Sequence, residues 1–576
     1  MGSTHAAGAT PASDAGGAAG TTVAELVRAR WKDHRPGLKS GELVLTHHEA
    51  AVRSAARAAL LHDLLPPGAA PHIGVLLDNV PEYPLWLGAA ALAGAAVVGV
   101  NPTRRGPELA RDITHTECAL LITERAHLPL LDGLDLGPLL SADRILVVDD
   151  PAYTALLAPY ADAEPEPAPG VTPGTRMLLY FTSGSTGAPK AVICSQGRLA
   201  HAGQALVDFL DVVPEDVHYI CMPLFHGNAV MANWAPALAG GAAIALRRKF
   251  SASGFLPDVR AYGATYFTYV GRAVQFLLST PERPDDHDHP LRHGFGTEAG
   301  AVDAVRFAAR FGAPLIEGYG SSEGGAAIQR SPGTPPGAIG RAAPGADLAV
   351  VDPGTGRERP RAAFDADGRL LNGDEAIGEL VNRGRSLFEG YWKNEQAVAA
   401  RLRDNWYWTG DLFFRDTDGF FHFAGRSDDR LRVDSENLAA AVIENILARY
   451  PDAASAAVYA VPDPVAGDQV MATVALREGA AFDPAAFAAF LAAQPDLGTK
   501  MPPRFVRVTA RMPVTATNKV HRVGLRRTGF RCDDPVWWSP PDAGPCGTAY
   551  RPFTAEDRLT LLDQYRAQNR DALLDR

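Results

Sequence analysis

Five short segments carry the residue types that can handle phosphate and carboxylate. The first is Thr182-Ser183-Gly184-Ser185-Thr186-Gly187-Ala188-Pro189-Lys190, directly after the apolar run Met177–Phe181. Its glycines let the backbone turn tightly and bring N–H groups against an anion. Four hydroxyls add donors, and Lys190 supplies a point charge suited to a polyphosphate. It is not the GxxxxGK[ST] loop, since the lysine follows a proline and no Ser or Thr succeeds it. An ordinary Ser/Gly turn is the plainer reading of the same composition. The second segment, Glu317-Gly318-Tyr319-Gly320-Ser321-Ser322-Glu323-Gly324-Gly325, offers an aromatic face for a purine, glycines for close backbone approach and a carboxylate for Mg²⁺ beside phosphate. The third runs Trp406-Tyr407-Trp408-Thr409-Gly410-Asp411, and fifteen residues on comes Gly425-Arg426-Ser427-Asp428. One carboxylate has acceptors enough for both hydroxyls of a ribose. The fourth, Pro223-Leu224-Phe225-His226-Gly227-Asn228, places His226 where it could gate a carboxylate or a thiol, although a satisfied core histidine fits as well. The fifth, Pro513-Val514-Thr515-Ala516-Thr517-Asn518-Lys519-Val520-His521-Arg522, sets Lys519 in a basic stretch that continues to Arg526 and Arg527.

The elements that must position these segments alternate along the chain. Apolar runs bounded by turn residues recur at Ile73–Leu77, Leu120–Thr123, Ile145–Val148, Met177–Phe181, Ala242–Leu246, Ala264–Val270 and Pro314–Ile316, with alanine-rich helical stretches such as Ala50–Leu65 and Val302–Phe311 between them. Strand and helix in alternation predict an α/β fold with largely parallel sheets. Ile443, Ile446, Leu447 and Tyr450 mark one face of an amphipathic helix. Strands at Ala456–Val461, Val470–Leu476 and Arg504–Val508 and a helix near Pro484–Ala493 then make a small α/β unit of their own. The expected organisation is a disordered arm over 1–22, a large domain over 23–427, a small domain over 428–532 and a Trp/Pro-rich tail over 533–576.

Composition narrows the function classes. At about 150 residues per domain, 576 residues make roughly four domain-equivalents, enough for one large body and a smaller one. A net charge of −11 gives no global field toward nucleic acid or anionic lipid. Five scattered cysteines make neither a disulfide scaffold nor a zinc cluster, which points to a reducing, cytoplasmic setting. The small, polar N-terminus has no signal-peptide pattern. Tyr83–Val100 runs uncharged for 18 residues, at the lower edge of a bilayer span. Its alanines and glycines contribute little to insertion, and it changes to β-branched residues before Asn101-Pro102, so a buried helix leading into a buried strand is expected. Peripheral membrane contact stays open.

The blocks, in this order and spacing from about residue 23 to 530, resemble the adenylate-forming superfamily of acyl-CoA synthetases, peptide-synthetase adenylation domains and luciferases. The resemblance implies a large domain of mostly parallel sheets flanked by helices, with a small mobile α+β C-terminal domain. It implies ATP, Mg²⁺ and CoA, and a small carboxylic acid or other small anion as substrate. Thr182, Ser183, Gly184, Ser185, Thr186, Gly187 and Lys190 would grip the β- and γ-phosphates, with Thr182 and Glu323 at the metal. Gly296, Thr297 and Glu298 would lie against one adenine face and Gly318, Tyr319 and Gly320 against the other. Ser321 belongs to the same block, and Ser322 would reach the α-phosphate. Asp411 and Arg426 would hold the ribose, His226 would line the acid pocket, and Lys519 would complete the adenylation site. The need for that lysine is chemical: a carboxylate attacking the α-phosphorus brings two anions together, and a cation must bridge them where charge develops. Trp234, Phe267, Tyr269, Val270 and Gly271 are candidate pocket walls and equally plain core.

The sequence departs from the family at Ser435, where thioester-forming relatives carry a glycine lining the pantetheine tunnel. A Cβ and hydroxyl there bear on the second half-reaction only. Gln196 and Asn518 stand at positions usually held by histidine and by glycine or an aromatic. The FHGN and WTGDL blocks and Trp537-Trp538 lean toward the fatty-acid-transport and very-long-chain branch. Two chemistries follow: an AMP-forming acid–CoA ligase, in which the small domain turns about Asp428 between half-reactions, and a stand-alone adenylating enzyme with a non-CoA acceptor, such as amide formation or nitrite activation.

Overall fold

The computed structural model describes residues 20–182, 190–297, 299, 301–330, 333–343, 345–366, 370–384, 386–426, 430–433, 436–465, 467–494, 496–515, 519–568 and 570–575. The chain separates into two compact units, one of residues 1–220 with 224–248, the other of 221–223 with 249–576.

In the first unit, strands β1 (Pro36–Ser40) and β2 (Leu43–Thr46) form an antiparallel pair. Strands β3 (His72–Leu76), β4 (Ala96–Gly99), β5 (Leu120–Thr123), β6 (Ile145–Val147), β7 (Arg176–Phe181) and β8 (Ala191–Ser195) make a sheet in the order β6-β5-β3-β4-β7-β8. Its ladders are parallel except that β7 and β8 are antiparallel. Strands β3, β4 and β5 are buried along their whole length, which is why their sequences read as continuous apolar runs rather than alternations. Strands β9 (Val217–Ile220) and β10 (Ala243–Leu246) continue in parallel onto β1.

The uncharged run resolves as the sequence predicts. A helix spans Glu82–Ala93 with ten of its twelve residues buried, stops at Gly94 in the left-handed conformation (φ 70°), and leads into β4. At 1.5 Å per residue it is too short to cross a bilayer, and among the described residues no helix is long and apolar enough to do so. Its first turn is tied to the helix His47–Leu64, which Thr46 and Glu49 start with a capping box. The Arg57 guanidinium donates to both Glu82 oxygens, Tyr153 donates to Glu82 Oε2 at 2.6 Å, and Trp86 donates to the Tyr153 hydroxyl at 3.0 Å.

In the second unit, β11 (Tyr266–Val270), β12 (His293–Thr297) and β13 (Leu315–Glu317) pair in parallel. A small antiparallel sheet of β14 (Tyr319–Gly320), β15 (Ala327–Gln329) and β16 (Arg341–Ala342) follows. Next comes an antiparallel sheet that composition did not announce: β17 (Leu348–Val351), β18 (Gly378–Asn382), β19 (Leu402–Arg403), β20 (Trp406–Arg415) and β21 (Phe421–Arg426), with β20 at its centre. A hairpin, β22 (Arg430–Val433) and β23 (Glu436–Ala439), precedes the helix Ala440–Leu447. That helix carries Ile443 and Leu447 into a core shared with β24 (Ala453–Pro462) and β25 (Asp468–Leu476). Strand β26 (Phe505–Thr509) lies parallel to β25.

The segment after Asp533 forms β27 (Val536–Trp538) and β28 (Arg551–Pro552), which extend the same sheet, and a helix over Ala555–Ala567. Phe553, Leu561, Tyr565 and Leu574 close a second core under that sheet with Tyr459, Phe505 and Phe530.

Removing one member of a buried ion pair leaves the other charge without compensation. Glu82→Ala should therefore cost about 3 kcal/mol of unfolding free energy, read as a lower midpoint in guanidinium chloride, and Tyr153→Phe clearly less. Equal losses in the two variants would mean that the charge pair is not what anchors these helices.

Candidate functional site

The glycine-rich loop joins antiparallel partners, not a strand to a helix. Phe181 on β7 pairs with Ala191 on β8, and the Thr182 N–H donates to the Lys190 carbonyl at 3.2 Å, so the two ends of the segment are drawn together. Ser183, Gly184, Ser185, Thr186 and Gly187 lie outside the described residues, as do Glu298, Asp428 and Ser435. In the same unit, His226 precedes a helix that passes from Gly227–Ala229 through a π turn at Val230–Trp234 into Ala235–Gly240. Its ring lies 4.7 Å from that of Phe225. A π turn re-aims side chains within a helix and is frequent at functional sites. Gln196 is wholly buried, accepting from the Ala24 N–H (3.0 Å) and donating to the Ala91 carbonyl (2.8 Å). Its side chain thus joins three segments of the fold.

The second unit assembles most of the remaining residues around one irregularity. On β18, Val381 pairs with Trp408 and Glu379 with Leu412, so the single residue Leu380 faces Thr409, Gly410 and Asp411 on β20. The excess makes a bulge, a device that re-aims side chains out of a ladder. Each bulged residue is fixed: the Thr409 hydroxyl donates to the Leu380 carbonyl (2.8 Å), the Gly410 N–H to Glu379 Oε1 (2.8 Å) and the Asp411 N–H to the Thr409 hydroxyl (3.1 Å). Gly410 has φ 72°, and a Cβ there would also meet an Arg401 nitrogen at 2.4 Å, so both backbone and space select glycine. Burial raises the Glu379 carboxyl above its usual range, and the Gly410 N–H works against that.

Asp411 is brought to Tyr319, whose hydroxyl donates to Asp411 Oδ2 at 2.6 Å across 92 residues of sequence. The Tyr319 ring meets Phe413 edge-on, centroids 4.8 Å apart. Burial first, and the Asp411 anion second, raise the phenol well above its ordinary value, so it stays a donor at physiological pH. On the other flank of β20, Asp411 pairs directly with Arg426 on β21. Gly318 donates its N–H to the Gly296 carbonyl (3.1 Å), which links the Glu317–Gly325 block to the end of β12, where Thr297 is the last residue.

Glu323, Tyr391 and Arg401 form a second cluster. Tyr391 donates to Glu323 Oε1 (3.2 Å), and Arg401 Nε donates to the Tyr391 hydroxyl (3.4 Å) while its Nη1 reaches the Trp408 carbonyl (3.3 Å). Burial and then the Glu323 charge push the Tyr391 phenol up to about 12. Burial alone would lower the Arg401 guanidinium, but Tyr391, Tyr407 and Glu323 raise it overall. Sequence reasoning missed Tyr391 and Arg401; lone residues between blocks give no motif to read. Glu323 thus presents hard oxygen ligands on a braced carboxylate, the donor chemistry Mg²⁺ takes. Another group able to hold a metal, Asp78, Glu124 and His127, is bridged by Arg248, which donates to Asp78 at 3.0 Å and to Glu124 at 2.6 Å.

Lys519 is tied back to Thr515. The Thr515 N–H donates to its carbonyl (2.7 Å), its own N–H donates to the Thr515 hydroxyl (3.2 Å), and Val514 bridges Val520. Arg522 anchors this segment to the helix Ala440–Leu447 through Glu444, at 2.8 and 2.9 Å. Of the candidate walls, Trp234, Phe267, Tyr269 and Val270 are buried; Phe267 packs on Phe255 and Phe307, and Tyr269 donates to the Ile316 carbonyl (3.2 Å).

A Cβ on Gly325 would lie 1.9 Å from the Tyr407 ring. Gly325→Ala should therefore destabilise by about 1–3 kcal/mol, the ordinary cost of overpacking, while Tyr319→Phe, which removes one hydrogen bond to a carboxylate, costs about 1.5–3 kcal/mol. Urea midpoints of the two variants measure both, and an unchanged midpoint in Gly325→Ala would show that Tyr407 moves aside freely.

Residues 27–392 match the AMP-binding enzyme family, and residues 442–519 match the AMP-binding enzyme C-terminal domain. The chain is 52% identical over 556 residues to the steroid-22-oyl-CoA synthetase of Rhodococcus jostii, covering 96% of this chain and 99% of that one. It is 46% identical over 484 residues to the medium/long-chain-fatty-acid–CoA ligase FadD17 of Mycobacterium marinum, covering 84% and 91%. The fold is shared with ATP-bound MatB from Rhodopseudomonas palustris, with a TM-score of 0.76 at 23% identity over 88% of this chain and 98% of that one. Family match and near full-length identity agree: the chain belongs to the AMP-binding enzymes, among their AMP-forming acyl-CoA synthetases.

Proposed function

We propose that this synthetase activates a lipophilic carboxylic acid, foremost a steroid side-chain acid, and transfers it to CoA. The observation that carries the adenylation half is Asp411, freed from the β18 ladder by a bulge, held by Tyr319 and paired in register with Arg426 on β21. In this reading Asp411 and Arg426 take the ribose hydroxyls of ATP, and Tyr319 with Gly318 and Gly320 flanks adenine opposite Gly296–Glu298. The Thr182–Lys190 loop grips the β- and γ-phosphates, and Ser322 reaches the α-phosphate. Glu323 and Thr182 would hold Mg²⁺, which when bound neutralises phosphate charge.

The substrate arrives already ionised, so no protein base is required. Its carboxylate oxygen attacks the α-phosphorus, the bond to the bridging oxygen breaks, and pyrophosphate leaves. The Lys519 ammonium lies between the two anions where charge develops. The small domain, 428–532, then turns about Asp428, CoA thiolate attacks the acyl carbon, and AMP departs. The steroid assignment rests on the relative at 52% identity, named for a steroid-22-oyl product. A second reading, medium- and long-chain fatty acids, rests on the FadD17 relatives at 44–46%.

Pyrophosphate release measured over a panel of a steroid C22 acid, medium- and long-chain fatty acids and nitrite, with and without CoA, separates these readings. The steroid acid should give the highest kcat/KM and a CoA thioester by mass; turnover without CoA, with another acceptor consumed, would overturn the ligase reading. Lys519→Ala should lose pyrophosphate release by about 10²-fold or more, the scale of one lost electrostatic contact in a transition state, yet still convert supplied acyl-adenylate to thioester.

A further inference from the structure

We infer that the C-terminal lobe carries a second anion site, formed by residues to which no nucleotide or acid contact was assigned above and taking a phosphoryl group. A cavity of about 230 Å³ opens among the ends of β24 and β25, the helix Arg522–Thr528 with the turn after it, and the last residues of the chain. Among the described residues, four arginines line it, Arg526, Arg527, Arg531 and Arg570, against one carboxylate, Asp468. The chain as a whole carries −11, so four guanidiniums around one cavity are a local reversal of charge. A cleft of one sign beside low-dielectric walls concentrates its field on a counter-ion. Phe530 and Val461 supply such a wall, at 1% and 2% exposure.

Helix capping accounts for part of this charge. Arg526 and Arg527 lie in the last turn of their helix, where cations are favoured by the helix dipole. Arg531 and Arg570 lie outside any such turn, and each is pinned by carbonyls. Arg570 Nε donates to the Asp463 carbonyl (2.9 Å) and its Nη2 to that of Gly467 (3.4 Å); Arg531 donates to the carbonyls of Arg527 (3.2 Å) and Leu574. These bonds use two of the five donors of the Arg570 guanidinium and fix its plane. A guanidinium fixed in this way is pre-organised for the tetrahedral oxygens of phosphate.

At a liquid share of about 30 Å³ per water, the cavity holds roughly eight waters' volume. That suits phosphate, pyrophosphate or the phosphorylated end of a nucleotide, not a whole dinucleotide. The four arginines all follow residue 519, where the match to the family's C-terminal domain ends, while Ala460–Pro462, Gly467 and Asp468 complete the lining from within it.

The test uses the full chain with its nucleotide site saturated by a non-hydrolysable ATP analogue. Calorimetric titrations with inorganic phosphate, pyrophosphate and 3′,5′-ADP are run at low and high salt. We expect one further saturable site, weaker at high salt and weakened about tenfold in Arg527→Ala and in Arg570→Gln, the loss of one charge-assisted contact. Arg527→Lys keeps the charge and most of the affinity, and Arg527→Ala keeps acid-dependent AMP formation within about twofold. Tighter binding of 3′,5′-ADP than of pyrophosphate would identify a nucleotide end as the occupant, and the reverse a free anion. No binding with the nucleotide site blocked, or equal binding in parent and Arg527→Ala, overturns the proposal. Arg527 is exposed, so that variant decides the matter even where Arg570→Gln fails to fold.

Discussion

The hydrogen bond from Tyr319 to Asp411 is the contact on which the arrangement of the second unit turns. At 2.6 Å between a partly buried phenol and a carboxylate it belongs to the charge-assisted class, worth about 1.5–3 kcal/mol net. It joins the glycine-rich block after β13 to the centre of a sheet formed almost a hundred residues later. A carboxylate in a regular strand would point along the pleat with its neighbours. Here the unequal count between Val381–Glu379 and Trp408–Leu412 lifts Asp411 out of the ladder, and Tyr319 fixes the direction in which it is lifted. Thr409 and Gly410 are then determined by Asp411: a hydroxyl to repair the ladder at Leu380, and a residue with positive φ to complete the turn.

The same logic orders the charges around it. Asp411, Glu323 and Glu379 are three carboxylates on neighbouring segments, and acids alone would repel one another. Each is held by donors that remain in the protein: Tyr319 for Asp411, Tyr391 backed by Arg401 for Glu323, and the Gly410 N–H for Glu379. Neutral phenols orient the anions without cancelling their charge, which leaves them able to accept further hydrogen bonds or a hard cation.

Much of this was legible in the sequence because it depends on local pattern. The parallel strands of the first unit are buried on both faces and therefore read as uninterrupted apolar runs, and the run Tyr83–Val100 betrays its helix-to-strand change by moving from alanine and glycine to β-branched residues. Asp411 was legible as a block of three residues, but the bulge was not, since it exists only relative to Leu380 on another strand. Tyr391 and Arg401 were invisible for a different reason: each is a single residue whose role is set by a carboxylate about 70 positions away. The strands β27 and β28 have three and two residues, too short for any periodicity, and only the pairing of β27 with β26 and of β28 with β27 makes them part of the lobe.

That last pairing changes what the small lobe is. A sheet ending at β26 would expose Phe505 and Tyr459, whose burial at 3% and 0% depends on Phe530, Phe553 and Tyr565 from beyond Lys519. The aromatic cluster so formed is held by edge-to-face and stacked contacts, among them Phe530 on Phe553 and on Tyr565. The backbone at Lys519 and Val520 is therefore supported on two sides, by Glu444 through Arg522 and by the aromatic core on which Val520 packs. Such support fixes the backbone at Lys519 beforehand, and every degree of freedom removed in advance is one that a later binding step need not lose.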